Sequence, residues 1–354
     1  MTLADRLEHH YTTGLSTIEV ASKNVEKMVN EFSDFFNPNR KELVDTFKSY
    51  VIKRSNPTDK LNHLKSWLDK NGIEHRTSDE TRSFRAFNYQ NGLTDLIKVK
   101  KGDLVISSNQ PKSILVHVLF EPNTFLEDTM TYDITAWSVP YVYGLQAYAT
   151  KSTIKTTDSQ RYFSKRDKLN SNPYAYILPW GGIDDIRFLS EIYQHNIVAR
   201  VSVEPFEIKK KRFDRGTIIL TRKSNENLGD RFDDIIKKAA NKFNRPITSV
   251  ESGFVSKGKD FGSSSMRVIR KPKIGIISGN GVSSYSFGEV WHFFERQIEF
   301  PVSVIGSDYF SGIPKHNFDV IILPSGNHSY INNELREDLR LSLIHISEPT
   351  RQIV

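Results

Sequence analysis

The sequence predicts an α/β protein in which accessory β-α-β units precede the start of a doubly wound parallel sheet. Three observations support this fold class. The order strand, helix, strand, insertion, strand occurs twice, in residues 48–108 and 174–222. After a Gly/Ser-rich joint at 256–265, apolar segments without polar alternation follow one another, as in parallel strands covered on both faces. The 354 residues are sufficient for two or three domains, each with its own core.

Residues 1–47 contain a long helix, predicted for Thr17–Phe36. Ser16 and Glu19 have the spacing of a capping box, and "NPN" at 37–39 ends the helix. Apolar side chains recur at helical spacing and form a stripe: Ile18, Ala21, Val25, Met28, Phe32 and Phe35. A stripe this apolar needs a large partner surface, which we expect to be supplied by an upstream part of a longer protein.

Residues 48–255 are predicted to form an α/β region around the weak internal repeat. In the first copy, "YVI" (50–52) is a strand, Pro57 opens a helix that Gly72 ends, and Ile73 starts a second extended segment before the strand "GDLVIS" (102–107). The corresponding segments of the second copy are "YAYIL" (174–178), a helix that includes Ile186 and Leu189, "NIVARVSV" (196–203) and "GTIILT" (216–221). The two units either share one sheet or form two separate layers.

Three further segments complete this region. A helix follows "NLGD" (227–230), and "ITSVES" (247–252) reads as a strand. The aromatic-rich segment 120–150 has two interpretations, packed loops at a domain junction or a surface that faces a sugar or a peptide, and composition favours the first.

Residues 271–340 are predicted to begin the parallel sheet. Its strands are "KIGIIS" (273–278), "PVSVIG" (301–306) and "DVIILPSG" (319–326). The carboxyl ends of such strands are the usual ligand side. The tight loop "GNGVSS" lies there, and we take its Gly279, Gly281, Ser283 and Ser284 as a possible ligand loop whose exposed amides could hold an anion.

A dinucleotide is a poorer fit to this loop. The dinucleotide fingerprint needs a third glycine where Ser284 stands, and Asp308 follows the second strand only after a glycine and a serine.

The segment "WHFFE" contains His292 and Glu295 at a spacing that can supply two zinc ligands. A zinc site would need a third ligand, and the other histidines, such as His195, His316 and His328, have no partner at diagnostic spacing. We therefore interpret His292 and Glu295 as a chance match on a helix and predict no metal site.

Composition and charge narrow the functional classes. The absence of cysteine from these residues excludes disulfides, thiolate zinc sites and a cysteine nucleophile within them. No apolar run approaches the roughly 20 residues of a membrane span, and the N-terminus does not resemble a signal peptide. The net charge of +7 is densest at "KKKR" (209–212), which is predicted to be a solvated turn between two strands rather than a nucleic-acid site.

Several segments resemble one known family. "HYTTGLST", "LFEPNT", "TYDITAWSVPYVYGLQAYA" and "SGNGVSSYSFGEVWHFFE" are similar to the C-terminal half of large bacterial zinc carboxypeptidases of the M14 (carboxypeptidase A-like) family. The resemblance covers about residues 10–340 and implies that an α/β region and a class I glutamine amidotransferase-like (flavodoxin-like) terminal domain follow a peptidase domain. Residues 1–47 would then be the terminal helical remnant of that peptidase domain, and 271–340 a truncated amidotransferase-like domain.

The resemblance also implies where the chemistry of the longer protein, the parent, would reside. Its zinc ligands, its substrate-binding Arg and its general-base Glu would precede residue 1, so that this chain has no catalytic residues. Glu8 and Glu19 are poor candidates for the base, because Glu8 precedes the matched "YTTGLST" and Glu19 belongs to the predicted capping box. The parent would be exported to the periplasm or the extracellular space, although this chain carries no export signal.

Residues 341–354 are predicted to be a non-native tail. "LSLIHISEPTRQ" (341–352) resembles the translation of a sequencing-library adapter, and we therefore assign no role to His345 or Glu348.

The main hypothesis is that the chain is a fragment of a zinc metallocarboxypeptidase and is itself inactive, binding no zinc. Its expected partners are the upstream peptidase domain and, for the parent, a peptide substrate. The alternative is a non-catalytic small-ligand or structural module of amidotransferase-like fold, which holds a small anion or a peptide carboxylate at Gly279–Ser284. A third hypothesis, nucleic-acid binding through Lys209–Arg212, has less support.

Overall fold

The computed structural model describes residues 2–38, 46–123, 138–159, 161–163, 167–333 and 335–336. It confirms an α/β fold with several sheets. The chain divides into two compact units, Met1–Phe163 and Ser164–Val354. The predicted tail at 341–354 and residues 124–137 of the aromatic segment 120–150 lie outside the described residues.

The first unit begins with two consecutive helices, α1 (Leu3–Lys23) and α2 (Val25–Phe35). The predicted start at Thr17 is wrong, because the capping box lies at Thr2, whose N–H donates to Asp5 Oδ2 at 2.7 Å. Ser16 is inside α1, and Glu19 pairs with Lys23 instead of capping a helix. In the middle of a longer helix the amides are already bonded within the helix. Side chains with capping-box spacing at such a place therefore face solvent and cap nothing.

The rest of the first unit is a sheet with helices on one face. Its described elements follow in this order: β1 (Ser49–Ile52), α3 (Thr58–Lys70), β2 (Arg76–Ser78), β3 (Arg82–Asn88), β4 (Thr94–Val99), β5 (Leu104–Ser107), α4 (Ser113–Phe120), α5 (Val139–Val142), β6 (Ala147–Thr150) and β7 (Thr156–Asp158). The sheet order is β4-β3-β6-β1-β5-β2-β7, and its ladders are antiparallel.

The second unit has two main sheets. Its described elements follow in this order: β8 (Ala175–Leu178), α6 (Ile183–Gln194), β9 (Ala199–Ser202), β10 (Phe206–Ile208), β11 (Lys211–Phe213), β12 (Ile218–Thr221), α7 (Arg231–Lys242), β13 (Thr248–Val250), β14 (Met266–Ile269), β15 (Ile274–Ser278), α8 (Ser284–His292), β16 (Ser303–Gly306) and β17 (Val320–Ile322). One sheet has the order β13-β8-β12-β9-β14, and the other has the order β16-β15-β17.

The two large sheets share one topology. The order β6-β1-β5-β2-β7 in the first unit matches β13-β8-β12-β9-β14 in the second, and in each a third strand lies between two strands that a helix connects. Four strands of each copy, β6-β1-β5-β2 and β13-β8-β12-β9, lie side by side. Numbered by their order along the copy, they have the 4-1-3-2 order of the ferredoxin-like, split β-α-β arrangement. The repeat therefore extends beyond the predicted segments to include the second helix and the fourth strand, and it forms two separate sheets.

Equivalent loop hydrogen bonds support this correspondence. The Gly102 N–H donates to Ser78 O at 2.8 Å, and the Gly216 N–H donates to Ser202 O at 2.8 Å. Both glycines precede the inserted third strand and have positive φ, +88° at Gly102 and +91° at Gly216, a conformation that favours glycine. The copies thus share local backbone geometry as well as strand order.

A hairpin follows the second strand of each copy, in the place of the predicted insertion. In the second unit it is formed by β10 and β11, and Lys209 and Lys210 at its turn have φ of 52° and 61°. Two residues at positive φ are what a type I′ hairpin turn requires. The predicted turn between two strands is therefore confirmed for Lys209 and Lys210, whereas Lys211 and Arg212 are part of β11.

The Gly/Ser-rich joint at 256–265 lies against the β10–β11 hairpin. A Cβ on Gly258 would be 2.9 Å from Pro205 O, so that only glycine fits this contact without displacement. The strand that follows the joint, β14, pairs with β9. The second sheet therefore includes residues on both sides of the joint, up to Ile269.

The described part of the aromatic segment packs within the first unit. Tyr143 Oη lies 3.0 Å from His63 Nδ1, and the Tyr143 carbonyl accepts a hydrogen bond from Lys60 Nζ at 3.0 Å. Tyr141 makes an edge-to-face contact with the buried Tyr89 ring. These contacts favour the structural interpretation for the described residues.

The parallel layer has β15 at its centre, with β16 and β17 parallel to it on either side. The expectation that these strands are covered on both faces holds for β15, which is buried from Ile274 to Ile277. It is wrong for the outer strands, because Val304 of β16 is 51% exposed and Val320 of β17 is 45% exposed. Within the described residues, each of these strands has a sheet neighbour on one side only.

A buried ion pair anchors the start of α6. Asp185 Oδ2 accepts hydrogen bonds from the N–H groups of Gly181 and Gly182, each at 2.8 Å. Arg245 Nε lies 2.8 Å from Asp185 Oδ1, and both side chains are almost entirely buried. The carboxylate therefore caps the helix and compensates a buried cation at the same time.

We predict that Asp185→Ala lowers the free energy of unfolding by about 3–5 kcal/mol, because it leaves the Arg245 cation buried beside unsatisfied amides. The control is Asp214→Ala, which removes an 84% exposed carboxylate and should change stability by less than about 1 kcal/mol. Urea denaturation followed by circular dichroism compares the two variants. Equal losses would contradict a stabilising role for the buried pair.

Candidate functional site

The predicted ligand loop follows the carboxyl end of β15. The loop that follows β17 lies beside it. Gly279 and Gly281 have φ of +97° and +78°, so that both need glycine to form the turn. Parallel strands bring their carboxyl ends to one edge, and ligands bind at this edge in open α/β sheets.

The loop after β17 closes one side of the ligand loop. The Gly281 carbonyl accepts from the Asn327 N–H at 2.9 Å, and the Ser283 N–H donates to Ser325 O at 2.8 Å. A Cβ on Gly326 would be 2.1 Å from Gly281 O, so this close approach also requires glycine. The Gly281 carbonyl and the Ser283 amide are therefore used in joining two loops.

The N-terminus of α8 supplies the amides that remain. Ser283 is the N-cap residue, and its side chain accepts from the Ser286 N–H at 3.4 Å. Ser284 and Tyr285 are in the first helical turn, where N–H groups have no acceptor within the helix. Of the four predicted residues, Gly279 and Gly281 shape the loop, Ser283 caps the helix, and Ser284 presents an amide to an incoming group.

Ser307 lies next to this loop and was not predicted from the sequence. It follows β16, its side chain is 4% exposed, and its Oγ has no hydrogen-bond partner within the described structure. Its Oγ is 3.1 Å from the position that a Cβ on Gly279 would occupy. An unsatisfied buried hydroxyl costs about 1–3 kcal/mol, so it calls for a ligand or a functional explanation.

Asp308 adds an exposed carboxylate at the rim of the loop. Both of its oxygens lie 3.4 Å from Asn280 Nδ2. Asp308 does not fit the dinucleotide fingerprint, because a glycine and a serine separate it from the strand, yet the adjacent β15 and β16 bring it to the loop. Combining the ends of neighbouring parallel strands would have identified both Ser307 and Asp308.

His292 and Glu295 do not assemble a site with any third ligand. His292 is exposed at the end of α8, and Glu295 is exposed in the π-helical turn Phe293–Gln297 that follows. The zinc that the resemblance implies for the parent has no fitting ligand set in this part of the structure, since no three His, Asp or Glu side chains of the described residues are grouped to hold a metal ion. Likewise, no helix in the described ranges has the length and apolar character of a membrane span.

Comparisons with known proteins assign no family. No protein-family model matches the chain, and no curated protein matches it. Among solved structures, a formyltetrahydrofolate deformylase from Burkholderia mallei ATCC 23344 is similar at 11% identity with a TM-score of 0.14. The match covers 48% of this chain, and the chain spans 53% of the length of that protein. A TM-score this low supports no conclusion about fold or function.

We predict that His292→Ala does not change zinc uptake, because two exposed ligands one turn apart hold zinc only weakly. Competition with a chromophoric chelator measures the uptake, and His316→Ala, which removes another exposed imidazole of the same layer, is the control. Stoichiometric zinc in the wild-type chain that disappears in His292→Ala alone would contradict the interpretation of a chance match.

Proposed function

We propose that this chain is the accessory part of a larger zinc carboxypeptidase of the M14 group and that it contacts the peptidase domain through α1 and α2. The parent, an exported enzyme, would hydrolyse peptide bonds at a C-terminus, with zinc and the catalytic residues held in the peptidase domain. The quoted sequence segments motivate the family. The exposed apolar face of the two helices motivates the contact.

That face, the α1–α2 face, carries the proposal. None of the described side chains of either helix is buried. Its large apolar side chains are between 48% and 74% exposed: Leu3, Leu7, Tyr11, Leu15, Ile18, Val20, Val25, Met28, Val29, Phe32 and Phe35. An apolar surface this continuous is rare on soluble proteins unless it binds a partner.

The spacing along the α1–α2 face fits another helix. Apolar residues alternate at intervals of three and four, with one interval of seven: Leu7, Tyr11, Ile18, Ala21, Val25, Met28, Phe32 and Phe35. This heptad pattern runs from α1 into α2 and is typical of helices that pack side by side. The partner surface is therefore expected to be helical.

Burial of the α1–α2 face provides enough free energy for a stable contact. Full burial of one large apolar side chain contributes about 1.5–3 kcal/mol. Burial of even half of the α1–α2 face thus approaches the 5–15 kcal/mol by which a typical domain is stable. Such a contribution is more than a transient encounter needs, which supports a permanent interface within one protein.

We predict that Phe32→Glu weakens binding of the chain to the separately expressed peptidase domain of a family member by at least about tenfold, since it places a charge in an apolar interface. Asn30→Glu adds the same charge to an exposed position of α2 outside the heptad positions and should bind like the wild type. Calorimetry measures the affinities.

Sedimentation velocity of the chain alone tests whether a second copy of the chain, and not the peptidase domain, covers the α1–α2 face. Absence of binding to the peptidase domain would contradict the proposal. Self-association that Phe32→Glu abolishes would assign the α1–α2 face to a second copy instead.

A second candidate function is supported by Ser307. Its unpartnered buried hydroxyl lies beside the turn at Gly279, and the first turn of α8, which contains Ser284 and Tyr285, follows that loop in sequence. A small carboxylate would accept hydrogen bonds from these donors. Because the Asp308 carboxylate lies at the rim, a ligand that also carries an amine or amide, such as the end of a peptide, fits better than a simple anion.

We predict that Ser307→Ala abolishes binding of N-acetylglycine, as measured by calorimetry, while leaving the stability of the free chain unchanged or slightly higher. The gain is expected because the substitution removes an unsatisfied buried group. Ser303→Ala, on the exposed part of β16, is the control. Gly281→Val is less informative, since its Cβ would be 2.6 Å from Asn327 Oδ1 and would disturb the loop itself. A loss of stability in Ser307→Ala without any ligand effect would show that the hydroxyl is purely structural.

A further inference from the structure

A polar cleft of 510 Å³ lies in the first unit at the carboxyl ends of β1 and β2. Its lining includes Arg54, Lys101, Gly102, Arg161 and Tyr162. A volume of this size is within the roughly 300–1,000 Å³ range of small-molecule sites. The cleft is distinct from the α1–α2 face and from the loop at Gly279–Ser284.

Tyr162 forms a rigid wall of the cleft. Its Oη–H donates to the Gly102 carbonyl at 2.9 Å, and its backbone exchanges two hydrogen bonds with the Asn62 side chain. The ring is 6% exposed, and burial, together with the nearby Asp103 charge, raises the pKa of Tyr162 to about 12. Tyr162 is therefore neutral at physiological pH and adds no negative charge to the cleft.

Asp103, a buried carboxylate next to the lining residue Gly102, is already engaged. Asp103 is 1% exposed and pairs with Lys53 Nζ. It also accepts hydrogen bonds from the N–H groups of Arg54 at 2.9 Å and Lys100 at 2.8 Å. Asp103 is thus satisfied by other groups and does not form an ion pair with the Arg54 guanidinium.

Arg54 is held over a glycine at the edge of the cleft. Its Nη1 lies 3.0 Å from the position that a Cβ on Gly102 would occupy, and its Cζ is 5.8 Å from the centre of the Tyr162 ring. The guanidinium therefore lies near the backbone of Gly102 and over the Tyr162 ring, at the edge of the cleft.

The charges of the cleft leave two cations uncompensated. Lys101 Nζ pairs with Asp79 at 2.6 Å, and Asp158, an exposed carboxylate that also lines the cleft, is 3.9 Å from Arg76. Among the described residues, neither Arg54 nor Arg161 has a carboxylate within ion-pair distance. Two guanidinium groups from distant parts of the sequence thus border one cleft without an acidic partner.

The second copy of the fold shows that Arg54 is not required by the scaffold. Arg54 stands two residues after β1, and Trp180 stands two residues after the corresponding strand β8. The equivalent glycine, Gly216, faces Trp180, whose Cβ is 3.9 Å from the position of a Cβ on that glycine. The same scaffold position is therefore cationic in one copy and aromatic in the other, so the arginine serves a local purpose.

We propose that this cleft binds a small ligand through an oxyanion group, a carboxylate or a phosphate, which accepts hydrogen bonds from the guanidinium groups of Arg54 and Arg161. Arginine forks bind both groups in a bidentate manner. The cleft is larger than the oxyanion alone, so the ligand extends past it along the hydroxyl-bearing edges of β2 and β7, where Thr77, Ser78 and Thr157 line the wall.

Calorimetry of the full chain at low ionic strength tests this site with inorganic phosphate and citrate as probes. We expect at least one probe to bind, and Arg54→Gln and Arg161→Gln each to raise its Kd by about tenfold or more. Arg267→Gln, an exposed arginine of β14, should leave the Kd unchanged. Tighter phosphate binding identifies a phosphoryl ligand and tighter citrate binding a carboxylate ligand, and either result supports the site. Absence of binding by both probes, or an unchanged Kd in both arginine variants, would overturn the proposal.

Two glycine substitutions test whether the position of the Arg54 guanidinium matters when both arginines are retained. Gly102→Ala introduces a Cβ 3.0 Å from Arg54 Nη1, which displaces the guanidinium, and should weaken probe binding. Gly92→Ala has a similar backbone penalty, with φ of +72°, but its Cβ meets no atom within 4 Å. Equal binding by these two variants would show that the position of Arg54 is irrelevant. Arg54→Trp, which copies the second unit, is expected to fold with the wild-type circular dichroism spectrum and to lose probe binding.

Discussion

In both large sheets the fold depends on one arrangement, a strand that inserts between two strands joined by a helix. β5 lies between β1 and β2, and β12 lies between β8 and β9. The inserted strands are almost fully buried, so their apolar side chains hold the helices to one face while their backbone completes the ladders on both sides. The turn before each inserted strand lies at the carboxyl ends of its two neighbours, and in the first unit this edge holds the basic cleft.

The two copies have the same scaffold but carry different side chains at the equivalent edge of the sheet. Gly102 and Gly216 have the same conformation and the same hydrogen bond, yet Arg54 lies by one and Trp180 by the other. The parallel layer adds a third kind of surface, a glycine turn beside a buried hydroxyl.

The local sequence pattern predicted many helices, strands and turns correctly, because apolar runs and the glycines that end them act over a few residues. The strand at 50–52, the helix ended by Gly72 and the turn at Lys209–Lys210 were all read correctly. Pairing of β6 with β1 and of β13 with β8 was not, since it joins segments about 70 to 100 residues apart and depends on tertiary packing. The same limit concealed Ser307 beside Gly279 and Arg161 near Arg54, because no sequence motif links residues that only the folded sheet brings together.

Hydrogen exchange, measured on the chain alone and with the peptidase domain of a family member, tests the central claim most directly. Alone, the amides of α1 and α2 should exchange within seconds to minutes, since isolated helices of this length are marginally stable without packing, whereas β5 and β12 should be the slowest in their units. With the peptidase domain present, residues 3–35 should gain strong protection while both sheets are unchanged. Unaltered exchange across these two helices, or protection confined to other residues, would contradict the account.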